Sequence, residues 1–252
     1  MRVVRYSHRD RVSYGQLLDG MVYALEGDLF GERRRGPVVA KLAQVRLLAP
    51  VVPGKIVGIG LNYRDHAAEL GRPLPASPLF FLKPPTALVG PDDGIVCPAP
   101  SHLVHHEAEL AIVIGRLARN VSEAQAPDFV LGYTCGNDVT ARDIQNAEGH
   151  NTHAKSFDTF YPLGPVIETD IDTGNLQIGC RVNGQSRQSS NTGNLIFPPS
   201  YLVSFLSRIM TLLPGDVIST GTPSGVGPLV PGDVVEVEIQ GIGVLRNHVL
   251  SP

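Results

Sequence analysis

The chain has 252 residues, enough to bury one large hydrophobic core, alone or with a small appended unit. Hydrophobic residues make up 42% of it and charged residues 18%, as in globular proteins. The net charge of −3 predicts no nucleic-acid partner, and no apolar run approaches the ~20 residues that span a membrane. The three cysteines are widely spaced and match no zinc pattern, and the first residues lack a signal-peptide core, so we expect a cytoplasmic protein with reduced thiols.

Residues 1–48 are predicted to form a separate, small, β-rich domain. Short runs of strand-forming residues lie at 3–6, 11–15 and 21–25. Pro50 and the Pro53-Gly54 pair then mark a junction. We therefore predict a second, larger domain over residues 53–252.

The larger domain reads as many short strands with few helices, because 27 glycines and 21 prolines interrupt the whole chain. Apolar strand candidates lie at 55–59, 110–114, 178–182, 216–220 and 234–239. Helices are predicted to begin near 122–126 and to cover 199–210. The expected class is therefore mainly β with some α.

Residues 60–71 predict a short helix with a functional pair on one face. Asn62 suits the N-cap and Gly71 suits the position after the last helical turn. His66 and Glu69 are three residues apart, so their side chains share a face. Two interpretations fit this spacing: a solvated surface pair, or a histidine that a carboxylate orients as a general base.

Glu107 and Glu109 stand at the start of an apolar, β-branched run. Side chains in a strand alternate between faces, so these two carboxylates are predicted to point to the same side. They are either solvated at a strand end or joined by a hard divalent ion, since two like charges side by side repel. Another predicted strand, over 129–138, also ends in a carboxylate, Asp138.

Two segments that follow carry isolated polar groups. Residues 140–145 are predicted to be helical, with Arg142 and Gln145 on one face, where an arginine fork could bind a substrate carboxylate or simply be solvated. Lys155 lies in an aromatic, weakly charged segment and could stabilise an oxyanion or extend to solvent. Further on, residues 220–227 are glycine-rich but lack the Gly-Lys-Ser/Thr ending of a phosphate loop, so we do not predict one. The glycines could still let backbone amides approach a ligand closely.

The order and content of these segments resemble the fumarylacetoacetate hydrolase family over about residues 53–250. The matching segments are 62–69, 81–84, 105–110, 137–145, 155–160, 162–165 and 221–227. The resemblance implies a mixed β-sandwich roll preceded by a small N-terminal β-rich domain, and a homodimer. It also implies that the helix over 61–71 is a lid that becomes ordered over substrate.

The resemblance implies roles for individual residues. Mg²⁺ or Mn²⁺ would be bound by Glu107, Glu109 and Asp138. The catalytic residues would be His66, Glu69 and Lys155. Substrate contacts would come from Arg142, Gln145, Gly221, Thr222 and Lys83. The chain departs from many relatives in having no tryptophan before Lys155 and in having Tyr161 before Pro162, and we expect both changes to reshape the pocket wall.

From these residues we predict an enzyme that acts on a small 2-oxo acid. Metal and lysine would favour the enolate of the substrate while His66 moves a proton. The first candidate is an isomerase or decarboxylase of aromatic catabolism, of the 2-hydroxyhepta-2,4-diene-1,7-dioate isomerase type. The alternatives are an acylpyruvate C–C hydrolase or oxaloacetate decarboxylase, and a non-catalytic protein that binds a metal or a 2-oxo acid.

Overall fold

Twenty β-strands and four α-helices make up most of the computed structural model, which describes residues 1–252. The α-helices are α1 (Arg64–Glu69), α2 (Arg142–Glu148), α3 (Thr152–Lys155) and α4 (Pro199–Ile209). The first ten strands are β1 (Arg2–His8), β2 (Arg11–Leu18), β3 (Met21–Gly27), β4 (Arg33–Lys41), β5 (Arg46–Leu48), β6 (Ile56–Gly60), β7 (Leu79–Lys83), β8 (Leu88–Val89), β9 (Gly94–Val96) and β10 (Val104–His106). The others are β11 (Ala108–Ile114), β12 (Val130–Asn137), β13 (Thr140–Ala141), β14 (Tyr161–Glu168), β15 (Gln177–Val182), β16 (Gln185–Asn191), β17 (Val217–Ser219), β18 (Gly227–Leu229), β19 (Val234–Ile239) and β20 (Gly243–Leu250). The predicted class, mainly β with some α, is confirmed.

The strands form one large sheet and two smaller ones. The large sheet has the order β4-β3-β2-β1-β14-β12-β11-β17-β6-β7, with β5 paired to β1 and β8 paired to β14. A five-stranded sheet has the order β16-β15-β19-β20-β9, and a three-stranded sheet has the order β13-β10-β18. Most pairs are antiparallel, but β6 with β17, β8 with β14 and β9 with β20 are parallel, so the arrangement is mixed.

Strand β11 lies at the centre of the hydrophobic core. All seven of its residues are buried, which explains its continuous apolar, β-branched sequence. Leu110 belongs to a core cluster with Ile178 and Val237 of the five-stranded sheet. Ile112 belongs to another cluster with Leu202 of α4. This burial on both faces fixes the strand that carries Glu109.

The N-terminal strands extend the large sheet. Strand β1 pairs with β14, with Arg2 opposite Glu168 and Val3 opposite Ile167. Val4 and Tyr6 are buried in the same core cluster as residues of the five-stranded sheet. The predicted strands at 3–6, 11–15 and 21–25 are therefore present, and they share a sheet and a core with the rest of the chain.

The predicted helices are only partly correct. The helix expected over 199–210 is α4, which starts at Pro199, a residue suited to the first helical turn. Residues 122–126 do not begin an α-helix; turns there lead into a 3₁₀ helix at Ala126–Phe129. Pro127 lacks a backbone donor and β12 begins directly afterwards, which limits the segment to one short turn. None of the four helices combines the length and the hydrophobicity needed to cross a lipid bilayer.

Asn62, which was expected to cap helix α1, instead joins the start of this helix to other parts of the chain. Tyr63 occupies the N-cap position, and no side chain caps the helix there. The amide of Asn62 instead accepts the Phe197 N–H at 2.8 Å and donates to the Thr220 carbonyl at 2.7 Å. Gly71 follows the helix with φ of +61°, as expected for a residue that ends a helix. The N-terminal end of α1 is thus tied to two distant segments of the chain.

Candidate active site

Three acidic side chains meet where strand β11 begins beside the end of its antiparallel neighbour β12. Glu107 directly precedes β11, Glu109 is the second residue of β11, and Asp138 directly follows β12. Because Ala108 pairs with Asn137 across these strands, the Asp138 N–H donates to the Glu107 carbonyl at 2.9 Å. Ligand oxygens of the three carboxylates lie within 4.8 Å of one another, and all three residues are buried. The same-face geometry expected for the two glutamates is therefore present.

Buried cations balance two of the three carboxylates. The Nζ of Lys155 lies 2.7 Å from Glu107 Oε2 and 2.6 Å from Asp138 Oδ2. Arg142 also donates to Glu107, and Lys83 donates to Asp138 at 2.6 Å. Burial opposes ionisation of Glu107, but Lys155 and Arg142 outweigh it and hold its pKa at about 2. Glu107 is therefore a carboxylate at neutral pH.

Glu109 has no cationic partner. Its Oε2 accepts hydrogen bonds from the Ser219 hydroxyl at 2.6 Å and from the Gly221 N–H at 2.8 Å. Burial, together with the charges of Asp138 and Glu107, raises its pKa to about 8. Without a cation beside it, Glu109 is neutral at pH 7.

The donor set fits a hard divalent cation. Mg²⁺ and Mn²⁺ prefer carboxylate oxygens, and three such groups converge here. Both hydrogen bonds to Glu109 end on Oε2, which leaves Oε1 for a metal ion. A cation would also supply the positive charge that this side chain lacks. We therefore describe Glu107, Glu109 and Asp138 as a candidate metal centre.

Lys83 and Tyr161 lie behind the metal centre. The Lys83 side chain is fully buried, donates to Asp138, and lies with its Nζ 5.6 Å from the centre of the Tyr161 ring. Burial lowers the pKa of its amine. The direct substrate contact expected for Lys83 does not fit this position; it holds Asp138 in place. Tyr161 is also fully buried, so it does not form the pocket wall as expected.

His66 and Glu69 form the pair that their spacing predicts. The Nδ1 of His66 lies 2.8 Å from Glu69 Oε2. A carboxylate acceptor at Nδ1 makes that nitrogen the protonated one, which leaves Nε2 free to accept a proton. His66 is 8% exposed, whereas the Glu69 side chain is 39% exposed. The structure therefore has an oriented imidazole on α1.

The glycine-rich loop of residues 221–225 forms hydrogen bonds with Glu109 of the candidate metal centre and with Glu69 of the His66–Glu69 pair. The Gly221 N–H donates to Glu109, and the Gly225 N–H donates to Glu69 Oε1 at 3.0 Å. Both glycines have positive φ, at +99° and +90°. A Cβ at position 221 would lie 2.8 Å from the Asn62 Cβ, and one at 225 would lie 2.2 Å from a carbonyl oxygen of β16. Glycine is thus required at both ends of the loop.

A cavity of about 660 Å³ joins the metal centre to α1. Most residues that the sequence singled out line it, namely His66, Glu107, Glu109, Asp138, Arg142, Gln145, Lys155 and Thr222. Gly221, expected to contact substrate, does not line the cavity and holds Glu109 through its N–H. Candidate residues from distant parts of the chain therefore form one site.

The fork of Arg142 is already occupied within the protein. Its Nη2 donates to Glu107, and its Nη1 donates to Gln145 Oε1. The amide of Gln145 in turn donates to Asn151 Oδ1 at 2.7 Å. Asn151 also lines the cavity, and sequence reasoning missed it. A substrate carboxylate that enters here would therefore contact the hydrogen-bonded group of Arg142, Gln145 and Asn151, because Arg142 is not free.

Comparison with known proteins establishes the family. A family model described as Fumarylacetoacetate (FAA) hydrolase C-terminal matches residues 55–250. The chain belongs to the fumarylacetoacetate hydrolase family. A second model, described as Rv2993c-like, N-terminal, matches residues 1–50. The resemblance stated from the sequence motifs is confirmed.

Two relatives of known structure share the fold over essentially their full length, and a third relative is similar over most of its sequence. The chain superimposes with a TM-score of 0.93 on 5-carboxymethyl-2-hydroxymuconate delta-isomerase from Mycobacterium smegmatis, at 46% identity and full coverage of both chains. It superimposes with a TM-score of 0.92 on 2-hydroxyhepta-2,4-diene-1,7-dioate isomerase from Mycobacterium marinum, at 45% identity, covering 100% of this chain and 98% of the other. A mitochondrial oxaloacetate tautomerase of Bos taurus is 43% identical over 227 residues, 85% of this chain and 72% of the relative. The chain is thus an enzyme of the fumarylacetoacetate hydrolase family.

Gln188 is a buried residue that connects β11 to Thr222 through hydrogen bonds, and sequence reasoning missed it. It lies on β16, is 1% exposed, and accepts the Ala108 N–H at 3.0 Å between the two metal-centre glutamates. Its amide donates to the Thr222 hydroxyl at 2.8 Å, and that hydroxyl donates to the Ala108 carbonyl at 3.0 Å. The Thr222 hydroxyl is thus already engaged as both donor and acceptor. No local sequence pattern marks Gln188, because its partners lie on other strands.

His105 and His106 face opposite sides, as strand alternation predicts. His105 lines the cavity, and burial with the charge of Arg142 lowers its pKa to about 4. His106 points away and its Nδ1 lies 3.1 Å from Gln188 Oε1. His105 is therefore a neutral imidazole beside the candidate metal centre.

Proposed function

We propose that this chain is a Mg²⁺- or Mn²⁺-dependent enzyme that isomerises 2-hydroxyhepta-2,4-diene-1,7-dioate, or a related 2-hydroxydienoate dicarboxylate, in aromatic catabolism. The observation that carries the proposal is an oriented imidazole, His66, in the same cavity as three converging carboxylates and Lys155. The two isomerases named above, at 46% and 45% identity over the whole chain, support this choice of substrate.

The reaction is a proton transfer along a conjugated chain. The 2-hydroxyl of the dienol loses a proton and C5 gains one, which forms the 2-oxo group and shifts the double bonds. His66 Nε2 takes up and delivers the proton, because Glu69 occupies Nδ1. A divalent cation held by Glu107, Glu109 and Asp138 would supply Lewis acidity that favours negative charge on the substrate oxygens.

Lys155 stabilises the same charge from the protein side. Two of its three N–H groups point to Glu107 and Asp138, so one donor remains for a substrate oxygen. Burial opposes its charge, but Asp138 and Glu107 outweigh burial and raise the pKa of Lys155 above its usual value. Lys155 is therefore a permanent cation at the site and acts as an electrostatic stabiliser, not as a base.

Oxaloacetate tautomerisation is the second candidate, because the Bos taurus relative at 43% identity carries that name. It uses the same enol chemistry on a shorter dicarboxylate. Acylpyruvate hydrolysis and oxaloacetate decarboxylation also pass through such an enolate, but breaking a C–C bond forms it. Water attacks the acyl carbonyl in the first reaction, carbon dioxide leaves in the second, and protonation of the enolate carbon then gives pyruvate in both.

A substrate panel decides among these reactions. Purified protein with Mg²⁺ is assayed with 2-hydroxyhepta-2,4-diene-1,7-dioate, oxaloacetate and acetylpyruvate. We expect the highest kcat/KM for ketonisation of the dienedioate, measured from the loss of its ultraviolet absorbance. A higher kcat/KM for either other compound would replace the proposed reaction, and turnover of none of the three would contradict the proposed substrate class.

We also propose that the protein is a homodimer with two-fold symmetry. On the face of edge strand β7 away from the cavity, Phe80 and Leu82 are 38% and 47% exposed, which is a surface suited to burial against another chain. Light scattering at micromolar concentration should give twice the monomer mass of 27.0 kDa. A mass of one chain under these conditions would contradict the proposal.

A further inference from the structure

One permanent cation of the cavity wall has no partner in the protein. Arg72, Arg142 and Lys155 all line the cavity. Arg142 and Lys155 are both bonded to Glu107, and their charge serves the metal centre. Arg72 is exposed and forms neither a salt bridge nor a side-chain hydrogen bond within the chain. Its guanidinium is therefore available to an anion that enters the cavity.

The backbone that carries Arg72 is held in place at the end of α1. The Arg72 N–H donates to the Ala67 carbonyl at 2.9 Å, and the Gly71 N–H donates to the Ala68 carbonyl at 3.1 Å. These two bonds close the C-terminal end of the helix, and Pro73 restricts the backbone conformation of Arg72, the residue before it. Arg72 thus lies just past the C-terminal end of α1, the helix that carries His66.

Apolar side chains also line this part of the cavity. Leu70 and Leu79 are both in the wall and remain 47% and 60% exposed. All of the acidic residues in the wall belong to the metal centre. The wall therefore offers a cation-binding end, an apolar surface and a free arginine, a combination that matches a hydrocarbon chain with a carboxylate at each end.

We propose that Arg72 binds the distal carboxylate of the substrate and selects dicarboxylates over monocarboxylates of the same length. The inference rests on the proposed function, in which the 2-oxo acid end of the substrate lies at the metal centre. The guanidinium fork suits a carboxylate, and the opposite end of the substrate finds no other unpaired arginine or lysine in the wall.

Binding of two matched ligands tests the role of Arg72 without any reaction. The ligands are 2-oxoheptanedioate and 2-oxoheptanoate, which differ only in the distal carboxylate, and calorimetry is done with saturating Mg²⁺. Wild-type protein should bind the dioate about tenfold or more tightly than the monoacid, as expected for a charge-assisted hydrogen bond. Arg72→Gln should remove this difference by weakening the dioate alone, and Arg72→Lys should keep part of it.

Arg64→Gln is the matched control, because Arg64 is an exposed arginine on α1 that does not line the cavity. It should leave both affinities unchanged. Equal wild-type affinities for the two ligands, no detectable binding of either, or an Arg72→Gln effect no larger than that of Arg64→Gln would each overturn the proposal. Turnover of the dienedioate is measured separately: absent turnover with intact discrimination would reject the reaction and retain the role of Arg72.

Discussion

Replacing Glu109 by glutamine is expected to weaken Mg²⁺ binding by about 100-fold or more and to abolish turnover, since the cation loses one of three carboxylates. The fold should survive, because an amide oxygen can still accept from Ser219 and Gly221. The metal-free protein already favours a neutral Glu109 at pH 7, which glutamine reproduces. The metal-free variant should therefore melt at the same temperature as wild type or higher.

Calorimetry measures the Mg²⁺ affinity, and thermal unfolding without Mg²⁺ measures the fold. Glu32→Gln is a matched control at an exposed position remote from the metal centre and should change neither quantity. Wild-type Mg²⁺ affinity in the Glu109→Gln protein would show that the metal site lies elsewhere.

The same site should make Mg²⁺ binding dependent on pH. Below pH 8 Glu109 holds a proton that a bound cation must displace, whereas above it the carboxylate is already ionised. The dissociation constant should therefore fall by up to about tenfold per pH unit from pH 6 to 8 and then level off. Glu107, with a pKa of about 2, contributes no slope in this range.

Replacing His66 by alanine is expected to lower kcat by about 10²- to 10⁴-fold, the usual contribution of general acid–base catalysis. Mg²⁺ affinity should stay unchanged, because His66 bonds to Glu69 and to no metal-centre carboxylate. His105 is the competing base, since it also lines the cavity. A His105→Ala protein that loses turnover while His66→Ala retains it would move the base to the metal strand.

Glu69→Gln gives a sharper test of orientation than truncation. The amide can keep the hydrogen bond from Gly225, but its NH₂ group can donate to His66 Nδ1 and place the proton on Nε2 instead. We expect kcat to fall with little change in KM. His248→Ala, at an exposed position on β20, is the control and should leave kcat at the wild-type value.

Strands with a strong internal pattern were predictable from the sequence. The strand expected at 234–239 is β19, and the apolar run at 110–114 lies within β11. Strands of two or three residues such as β8, β13 and β18 were not predictable, because they form only through pairing with distant segments. Asn62 illustrates the same limit: its residue type suits a helix cap, but tertiary partners occupy its side chain.

In the candidate site, too, features set by local spacing were predictable, whereas features set by tertiary contacts were not. The His66–Glu69 pair and the same-face glutamates follow from local spacing, so their geometry could be anticipated. The position of Gln188 depends on a contact between residues 80 apart, which no local pattern encodes. Lys83 was placed in the site by its motif, yet whether a lysine contacts substrate or a neighbouring carboxylate depends on burial, which only the packed structure defines.

The glycine-rich loop of residues 221–225 has a consequence for the type of reaction. Its first N–H holds Glu109 of the metal centre and its last holds Glu69, which orients His66. In the proposed reaction, the loop is thus a spacer of fixed length between the carboxylates that would anchor the substrate and the imidazole that would move its proton. The carbon that receives the proton would then depend on the length of this spacer, separately from the side chains that recognise the substrate. Reaction position and substrate recognition could therefore diverge independently on this scaffold.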